Sequence, residues 1–209
     1  MKIKENLPWF SANAMISLMS LVLIFIIFNI ATKPKIKMSY KTKEQLSNTL
    51  YLNLKDGRVV IKMLPEQAPM HVQRITTLVR KGFYDGLTFH RVIEDFVAQG
   101  GDPKGDGTGG SGKKIAAEIS QLKHKRGVVS MARGVDLNSA DSQFFIVLDD
   151  QPYLDGKYTI WGHVIDGMEY VDNIKKGNPG LNGTVEDPDK IISMEIAIDT
   201  ESQELSEKN

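Results

Sequence analysis

In the run Phe89-His90-Arg91-Val92-Ile93-Glu94-Asp95-Phe96-Val97-Ala98-Gln99-Gly100-Gly101-Asp102, a cation, an aromatic ring and a glutamine sit close together, just before a glycine-rich segment, Gly107 to Gly112. Phe89, Val92, Phe96 and Val97 have the apolar, β-branched and aromatic character of strands. Arg91 and Gln99 therefore bring polar tips to a surface otherwise suited to burial. A guanidinium stays charged and presents a rigid planar fork of donors. The chemistry open to it is electrostatic, the donation of charge-assisted hydrogen bonds.

Other chemistries find little support. The chain has no cysteine, which excludes disulfides, thiolate metal sites and cysteine nucleophiles. His71, His90, His124 and His163 lack paired metal-ligand spacing. Ser142 is not in a Gly-x-Ser-x-Gly elbow, and no triad is legible. Gly107-Thr108-Gly109-Gly110-Ser111-Gly112-Lys113-Lys114 nearly spells a phosphate-binding loop, but Lys114 stands where a magnesium-ligating hydroxyl belongs. The segment after it, Ile115 to Ser120, is too short for the helix such a loop must open, so the stretch reads as a flexible turn.

Three blocks occur in order: the Phe89 to Asp102 run with its Gly-Thr-Gly-Gly turn, Gly127 to Arg133 continuing through Ser142 to Ile146, and Tyr153 to Tyr158. Together they resemble the signatures of the cyclophilin family of peptidyl-prolyl cis/trans isomerases, in particular bacterial members. The resemblance implies a mainly β fold, a closed eight-stranded antiparallel barrel with two capping helices, and a reaction that needs neither cofactor nor metal. Rotation about a peptide bond faces a barrier of about 18 to 20 kcal/mol. Before proline the two isomers lie within about 1 kcal/mol, so the barrier limits exchange to tens to hundreds of seconds. A surface that binds the twisted amide better than the planar one is sufficient.

On that resemblance Arg91 is the catalytic residue, a donor aimed at the prolyl nitrogen, which accepts a hydrogen bond only when the amide is twisted. Phe96, Val97, Met131, Phe145 and Leu154 would enclose the proline ring, and Gln99 would bond the substrate backbone. Ala132 and Arg133 would lie along the peptide, with the Arg133 main chain pairing with it. His90, Gln143 and Tyr158 would complete the rim. Tyr153 stands where many eukaryotic relatives carry tryptophan, Tyr158 where histidine is frequent, and Val97 where methionine is common. Loss of the indole donor at Tyr153 implies weak binding of cyclosporin. The expected partners are proline-containing unfolded or nascent polypeptides. The alternative is a non-catalytic chaperone or scaffold module that uses the same groove; intact Arg91, Phe96, Gln99 and Phe145 favour the enzyme.

The elements that must position these groups occupy most of the chain. Among 209 residues, Lys plus Arg and Asp plus Glu both total 26, and this balance gives no basic excess for a nucleic-acid partner. Alternation at Leu50, Leu52, Leu54, then Val59, Ile61 and Met63 around Asp56-Gly57, predicts a hairpin. Pro69 opens a helix with Val72, Ile75, Leu78 and Val79 on one face, stopped by Gly82. A second helix is predicted from Met168 to Lys176, and short strands separated by glycine-rich turns fill the remainder of a domain over 49–200. Residues 201–209 are polar and read as disordered.

Residues 1–32 are different material. Met15 to Ala31 is almost wholly apolar, long enough against the roughly 17 to 25 residues that cross a bilayer, with Trp9 and Phe10 suited to the headgroup level. A retained transmembrane anchor is the favoured reading. A cleaved signal peptide is the competitor, although Asn29-Ile30-Ala31-Thr32 offers no clean cleavage site, and a buried soluble helix is a third reading. Residues 33–48, rich in lysine, read as a basic tether or an ordinary surface loop. Lys33, Lys35, Lys37, Lys41 and Lys43 after the span would hold the domain in the cytoplasm. Exported bacterial relatives argue for a domain facing the periplasm or cell exterior, and that orientation is the one expected here.

Overall fold

The computed structural model describes residues 42–207. The expected span at Met15 to Ala31 and most of the tether lie outside them. Among the described residues no helix is long and apolar enough to cross a membrane.

Strands β1 (Thr49–Leu54) and β2 (Gly57–Met63) form the predicted hairpin, with Leu54 opposite Gly57. The others are β3 (Arg91–Ile93), β4 (Val97–Gly100), β5 (Val128–Met131), β6 (Phe144–Val147), β7 (Ile160–Asp166) and β8 (Ser193–Ile196). All pair antiparallel in one sheet of eight, ordered β3-β4-β6-β5-β7-β2-β1-β8. The expected closed barrel is thus a curled sheet whose edge strands, β3 and β8, do not pair with each other. Irregular chain stitches that seam instead. Gly86 donates to Ile191, Ile191 to Leu87, Phe89 to Asp189 and Val92 to Gly183, all at 2.8–2.9 Å between backbone N and O. The cause lies in residues 182–188: Asn182, Gly183 and Asp187 have φ of +52°, +78° and +51°, and Pro188 carries no N–H, so a regular ladder cannot run through them.

Helix α1 (Lys43–Ser47) starts inside the segment expected to be a tether. Thr42 and Gln45 exchange side-chain and backbone bonds in a capping box, and this local pairing makes 43–47 helical where an extended segment was expected. Helix α2 (Pro69–Val79) has proline in its first turn and buries Val72, Ile75, Leu78 and Val79 as the spacing predicted, with His71 beside them. Helix α3 (Met168–Asp172) stops short of Lys176, because the Lys175 N–H turns to the Asp189 carboxylate at 2.8 Å. Helix α4 (Ala197–Glu207) replaces most of the expected disordered tail. It packs on β1, β8 and α1, and Asp199 binds Arg80 through two bonds at 2.8 and 3.2 Å.

Strand alternation divides the apolar residues. Leu50, Leu52, Val59, Ile61, Phe144, Ile146 and Trp161 join the buried faces of the helices in the main core, while Val97, Val128, Phe145, Val147, Leu154 and Ile160 form a smaller cluster.

Three histidines are buried in this framework: His71, His90 and His124, at 0%, 6% and 1% exposure. Burial holds all three below the ordinary imidazole range, against the pull of Glu118 on His71 and of Asp155 on His124. Below about pH 6.5 the unfolded chain binds protons at these positions that the folded chain refuses. Stability is therefore full above that pH and declines as pH falls toward the lowered folded values. Thermal melts should show a Tm that is level from about pH 8 to 7 and falls by at least a few degrees by about pH 5.5. A flat profile would mean that these rings are not held neutral by the fold.

Candidate functional site

Arg91 on β3 lies directly opposite Gln99 on β4, and Gln99 directly opposite Phe145 on β6. Paired residues point the same way, so the three side chains share one face of the sheet. The turn that sets this register has Asp95 at φ +54°, a conformation that asparagine and aspartate tolerate better than most. From Arg91 a chain of hydrogen bonds crosses the strands. Arg91 Nη1 donates to Gln99 Oε1 at 3.1 Å, and Gln99 Nε2 to Gln143 Oε1 at 3.0 Å. Gln143 Nε2 donates to the carbonyls of Gly107 and Gly109 at 3.0 and 2.8 Å. Arg91 is half-buried, and its guanidinium carbon lies 5.6 Å from the Phe96 ring centroid. Burial lowers its pKa, with Tyr153 and Tyr158 opposing, yet an arginine starts so far above neutrality that the charge remains.

Beside this polar row lies the smaller apolar cluster. Val97, Phe145 and Leu154 form its floor, and Phe96, Ala132 and Tyr158 are half-buried around it. Phe145 meets Tyr158 edge to face at 5.5 Å. Tyr153, 54% exposed, extends the rim from its contact with Phe96 at 5.7 Å. An adjoining cavity of about 280 Å³ is lined by Gln99, Gly107, Gly109, Ala132, Arg133 and Gln143.

Two sequence expectations are corrected. Met131 is 1% exposed and belongs to the main core opposite Phe144, because alternation along β5 turns it away from the face that Ser130 shares with Phe145. His90 is 6% exposed, so it lies beneath the surface and not on the rim. At Arg133, where the expectation concerned main-chain pairing with a peptide, the half-buried side chain bonds the protein itself. It donates to the carbonyls of Lys157 at 3.0 and 3.1 Å and of Gly134 at 2.9 Å, and lies over the Tyr158 ring at 5.0 Å. It ties two loops together at the edge of the groove.

The glycine-rich loop holds carboxylates where a phosphate loop would hold phosphate. Asp102, 1% exposed, accepts from the N–H groups of Lys104, Asp106 and Gly107 at 2.9, 3.2 and 2.6 Å. Asp141 accepts from those of Ser111 and Gly112 at 3.0 and 2.9 Å. No helix follows within Ile115 to Ser120. The loop is pinned from within, which is more order than its composition suggested.

Two features of the site escaped the sequence reading. The first is Asn182, which accepts from Arg91 through both its backbone and side-chain oxygens. The available signal was the Asn182-Gly183 dipeptide, which marks a turn but not its neighbour. The second is a Ser-His-Asp chain: His124 Nδ1 lies 3.1 Å from Asp155 Oδ1, and His124 Nε2 lies 3.0 Å from Ser130 Oγ. Because aspartate only accepts, Nδ1 carries the proton and the serine hydroxyl donates to Nε2. Ser130 is 0% exposed, so it cannot meet a substrate as a nucleophile. The imidazole instead stacks on Phe145 at 6.3 Å and packs against the smaller apolar cluster. Among the described residues no group of histidine, aspartate and glutamate is arranged to hold a metal.

Comparison with known proteins points one way. Residues 49–196 match the family model for the cyclophilin type peptidyl-prolyl cis-trans isomerase. A probable peptidyl-prolyl cis-trans isomerase of Brucella suis is 50% identical over 165 residues, which span 73% of this chain and 84% of that protein. Peptidyl-prolyl cis-trans isomerase B of Bacillus subtilis is 44% identical over 133 residues, 62% of this chain and 92% of that one. The solved structure of a Cryptosporidium parvum cyclophilin type isomerase, determined in the presence of the dipeptide Ala-Pro, superposes with a TM-score of 0.65 at 31% identity. It covers 71% of this chain and 98% of its own.

Proposed function

The chain belongs to the cyclophilin-type peptidyl-prolyl cis-trans isomerases, and from that membership we propose that Arg91 lowers the rotation barrier by bonding the prolyl nitrogen of the twisted amide. In the planar amide the nitrogen lone pair is delocalised into the carbonyl and accepts nothing. As the carbonyl rotates, the lone pair localises and the nitrogen becomes an acceptor. A guanidinium N–H beside it then gains a bond that the ground state lacks, and only such gains accelerate the reaction. The observation that carries this reading is the placement of Arg91: half-buried at the edge of an apolar floor, with neutral oxygens of Gln99 and Asn182 as its partners. No carboxylate cancels the charge among those bonds.

The proline ring sits on Val97, Phe145 and Leu154, with Phe96, Ala132 and Tyr158 around it. Burying most of a small apolar ring is worth about 1.5 to 3 kcal/mol of binding, enough to hold the residue without locking it. Gln99, held by its bond to Gln143, offers its remaining amide N–H to the substrate backbone. Lowering the barrier by roughly 5 to 7 kcal/mol would correspond to a rate gain of about 10⁴ to 10⁵. One charge-assisted bond supplies a fraction of that, so the groove must orient the carbonyl for the remainder. Family membership carries the enzyme reading over a module that binds without catalysis.

The substrates on this reading are unfolded or newly made chains with accessible prolines. The apolar run Met15 to Ala31 supports a retained membrane anchor, which would keep the domain beside emerging chains on the periplasmic or outer side. At Tyr153 a phenol stands exposed beside Phe96 in place of an indole, which supports weak recognition of cyclosporin.

In a protease-coupled assay on a prolyl peptide, Arg91→Ala should lower kcat/KM by about 10² to 10³, with peptide affinity changed no more than severalfold. Arg91→Lys should recover little, since it keeps the charge and loses the fork. Full turnover in Arg91→Ala would discard the mechanism. Cyclosporin should inhibit the wild-type chain only at micromolar concentration or above, and nanomolar inhibition would refute the role given to Tyr153. Expressed at full length, the protein should sediment with membranes at its uncleaved mass, and an alkaline phosphatase fusion after residue 50 should be active. A soluble, shortened product, or an inactive fusion with a working cytoplasmic reporter, would overturn the anchor or its orientation.

A further inference from the structure

We propose that Asn182 is a positioning residue of the isomerase reaction: its two oxygens fix the Arg91 guanidinium against the groove while leaving its charge uncancelled. The inference rests on the catalytic role given to Arg91 and extends it to a residue 91 positions away in the chain. Arg91 Nε donates to the Asn182 backbone oxygen at 3.0 Å, and Nη2 donates to Asn182 Oδ1 at 3.2 Å. One asparagine thus takes one edge of the guanidinium fork, and Gln99 takes Nη1 from the other side. A guanidinium has five N–H donors. Three are occupied here, which leaves one on Nη1 and one on Nη2 for a bound peptide.

The loop that presents Asn182 is built to hold it still. Asn178 accepts from Leu181 and Gly183 through its backbone oxygen, at 3.0 and 2.9 Å, and from Gly180 through its side chain at 2.8 Å. The loop is joined to the Arg91 strand directly: Val92 donates to Gly183 at 2.8 Å, and Gly177 donates to Val92 at 2.9 Å. Gly177 and Gly183 pack so closely that a Cβ on Gly177 would come within 1.9 Å of the Gly183 oxygen. Asn182 itself has φ +52°, a conformation that asparagine tolerates among side chains that bear an acceptor. Glycine would adopt it more readily but has no Oδ1. Aspartate would keep the acceptor but bring a negative charge onto the guanidinium, weakening its field at the prolyl nitrogen.

These differences make the test. Turnover, prolyl-peptide affinity by NMR titration, and Tm are measured for the full chain and for Asn182→Gly, Asn182→Asp and Arg91→Ala. In Asn182→Gly the backbone conformation is kept and kcat should fall by about fivefold, with peptide affinity within about twofold and Tm unchanged. In Asn182→Asp kcat should fall by about tenfold with the same retained affinity. A purely conformational role predicts wild-type turnover in Asn182→Gly, because glycine suits this backbone, and that result would overturn the inference. A kcat loss matched by an equal loss of peptide affinity or a lowered Tm would overturn it too. Arg91→Ala separates the two levels: if it is inactive while Asn182→Gly turns over normally, only the role of Asn182 falls, and if Arg91→Ala is itself active, the mechanism falls with it.

Discussion

A charge held at the edge of an apolar floor without a counter-charge is the constraint around which this site is organised. A guanidinium that keeps its full water shell has little to offer a weak acceptor such as a prolyl nitrogen, and one paired to a carboxylate has its field spent. Arg91 lies between these limits. It is half-buried, and its three protein bonds go to neutral oxygens of Gln99 and Asn182. Partial desolvation strengthens its remaining donors, and neutral partners offset part of the cost of leaving water. Three other arginines pair with acids: Arg80 with Asp199, Arg126 with Asp172 and Arg74 with Asp141. Arg58 and Arg133, like Arg91, bond neutral oxygens, and what distinguishes Arg91 is its place beside Gln99 and the apolar cluster.

Positioning follows from strand registers more than from loops. Because side chains alternate, the pair Phe144 and Phe145 serves both faces of β6, one ring in the main core and the next in the groove floor. The same alternation puts Met131 in the core and leaves Ser130 beside Phe145 on the other face, bonded through His124 to Asp155. A groove floored by the reverse side of a packed sheet cannot shift unless the core shifts, and cores are close-packed. The Ser130-His124-Asp155 chain adds direction to that packing: each polar atom on it is satisfied by the next, so the imidazole has one favourable orientation against Phe145.

What the sequence disclosed and what it concealed differ by the range of the interactions. Arg91 and Gln99 could be read together because they are neighbours across a tight turn, and the helical face from Val72 to Val79 because its period is local. The expectation that Phe145 and Leu154 line a groove came from the resemblance, since an apolar residue in a strand is equally suited to core or cleft. Met131 failed for that reason: a one-residue step along β5 decides between cleft and core, and nothing in the residue types marks which. His90 failed similarly, next to Arg91 in the chain and on the opposite side of the strand. Helix α1 carried a readable capping pattern in Thr42 and Gln45, but the lysines around it suggested a solvated tether. Helix α4 depends on packing against β1 and β8, contacts between the two ends of the domain that no window of sequence contains.

The open seam between β3 and β8 gains a physical reason from the same account. A closed ladder there would pair β3 on both sides with regular backbone, and the space beside Arg91 would be filled by strand side chains pointing alternately in and out. Instead the chain from Asn178 to Asp189 replaces the ladder with left-handed turns at Asn182, Gly183 and Asp187. The turn at Asn182 brings its backbone oxygen and its side-chain oxygen to the same guanidinium edge. The backbone bonds that the lost pairing would have made are largely recovered, between Val92 and Gly183, Phe89 and Asp189, and Gly86 and Ile191. The cost in regular structure is therefore small, and it falls on the strand that carries the cation, where a departure from regularity has a use.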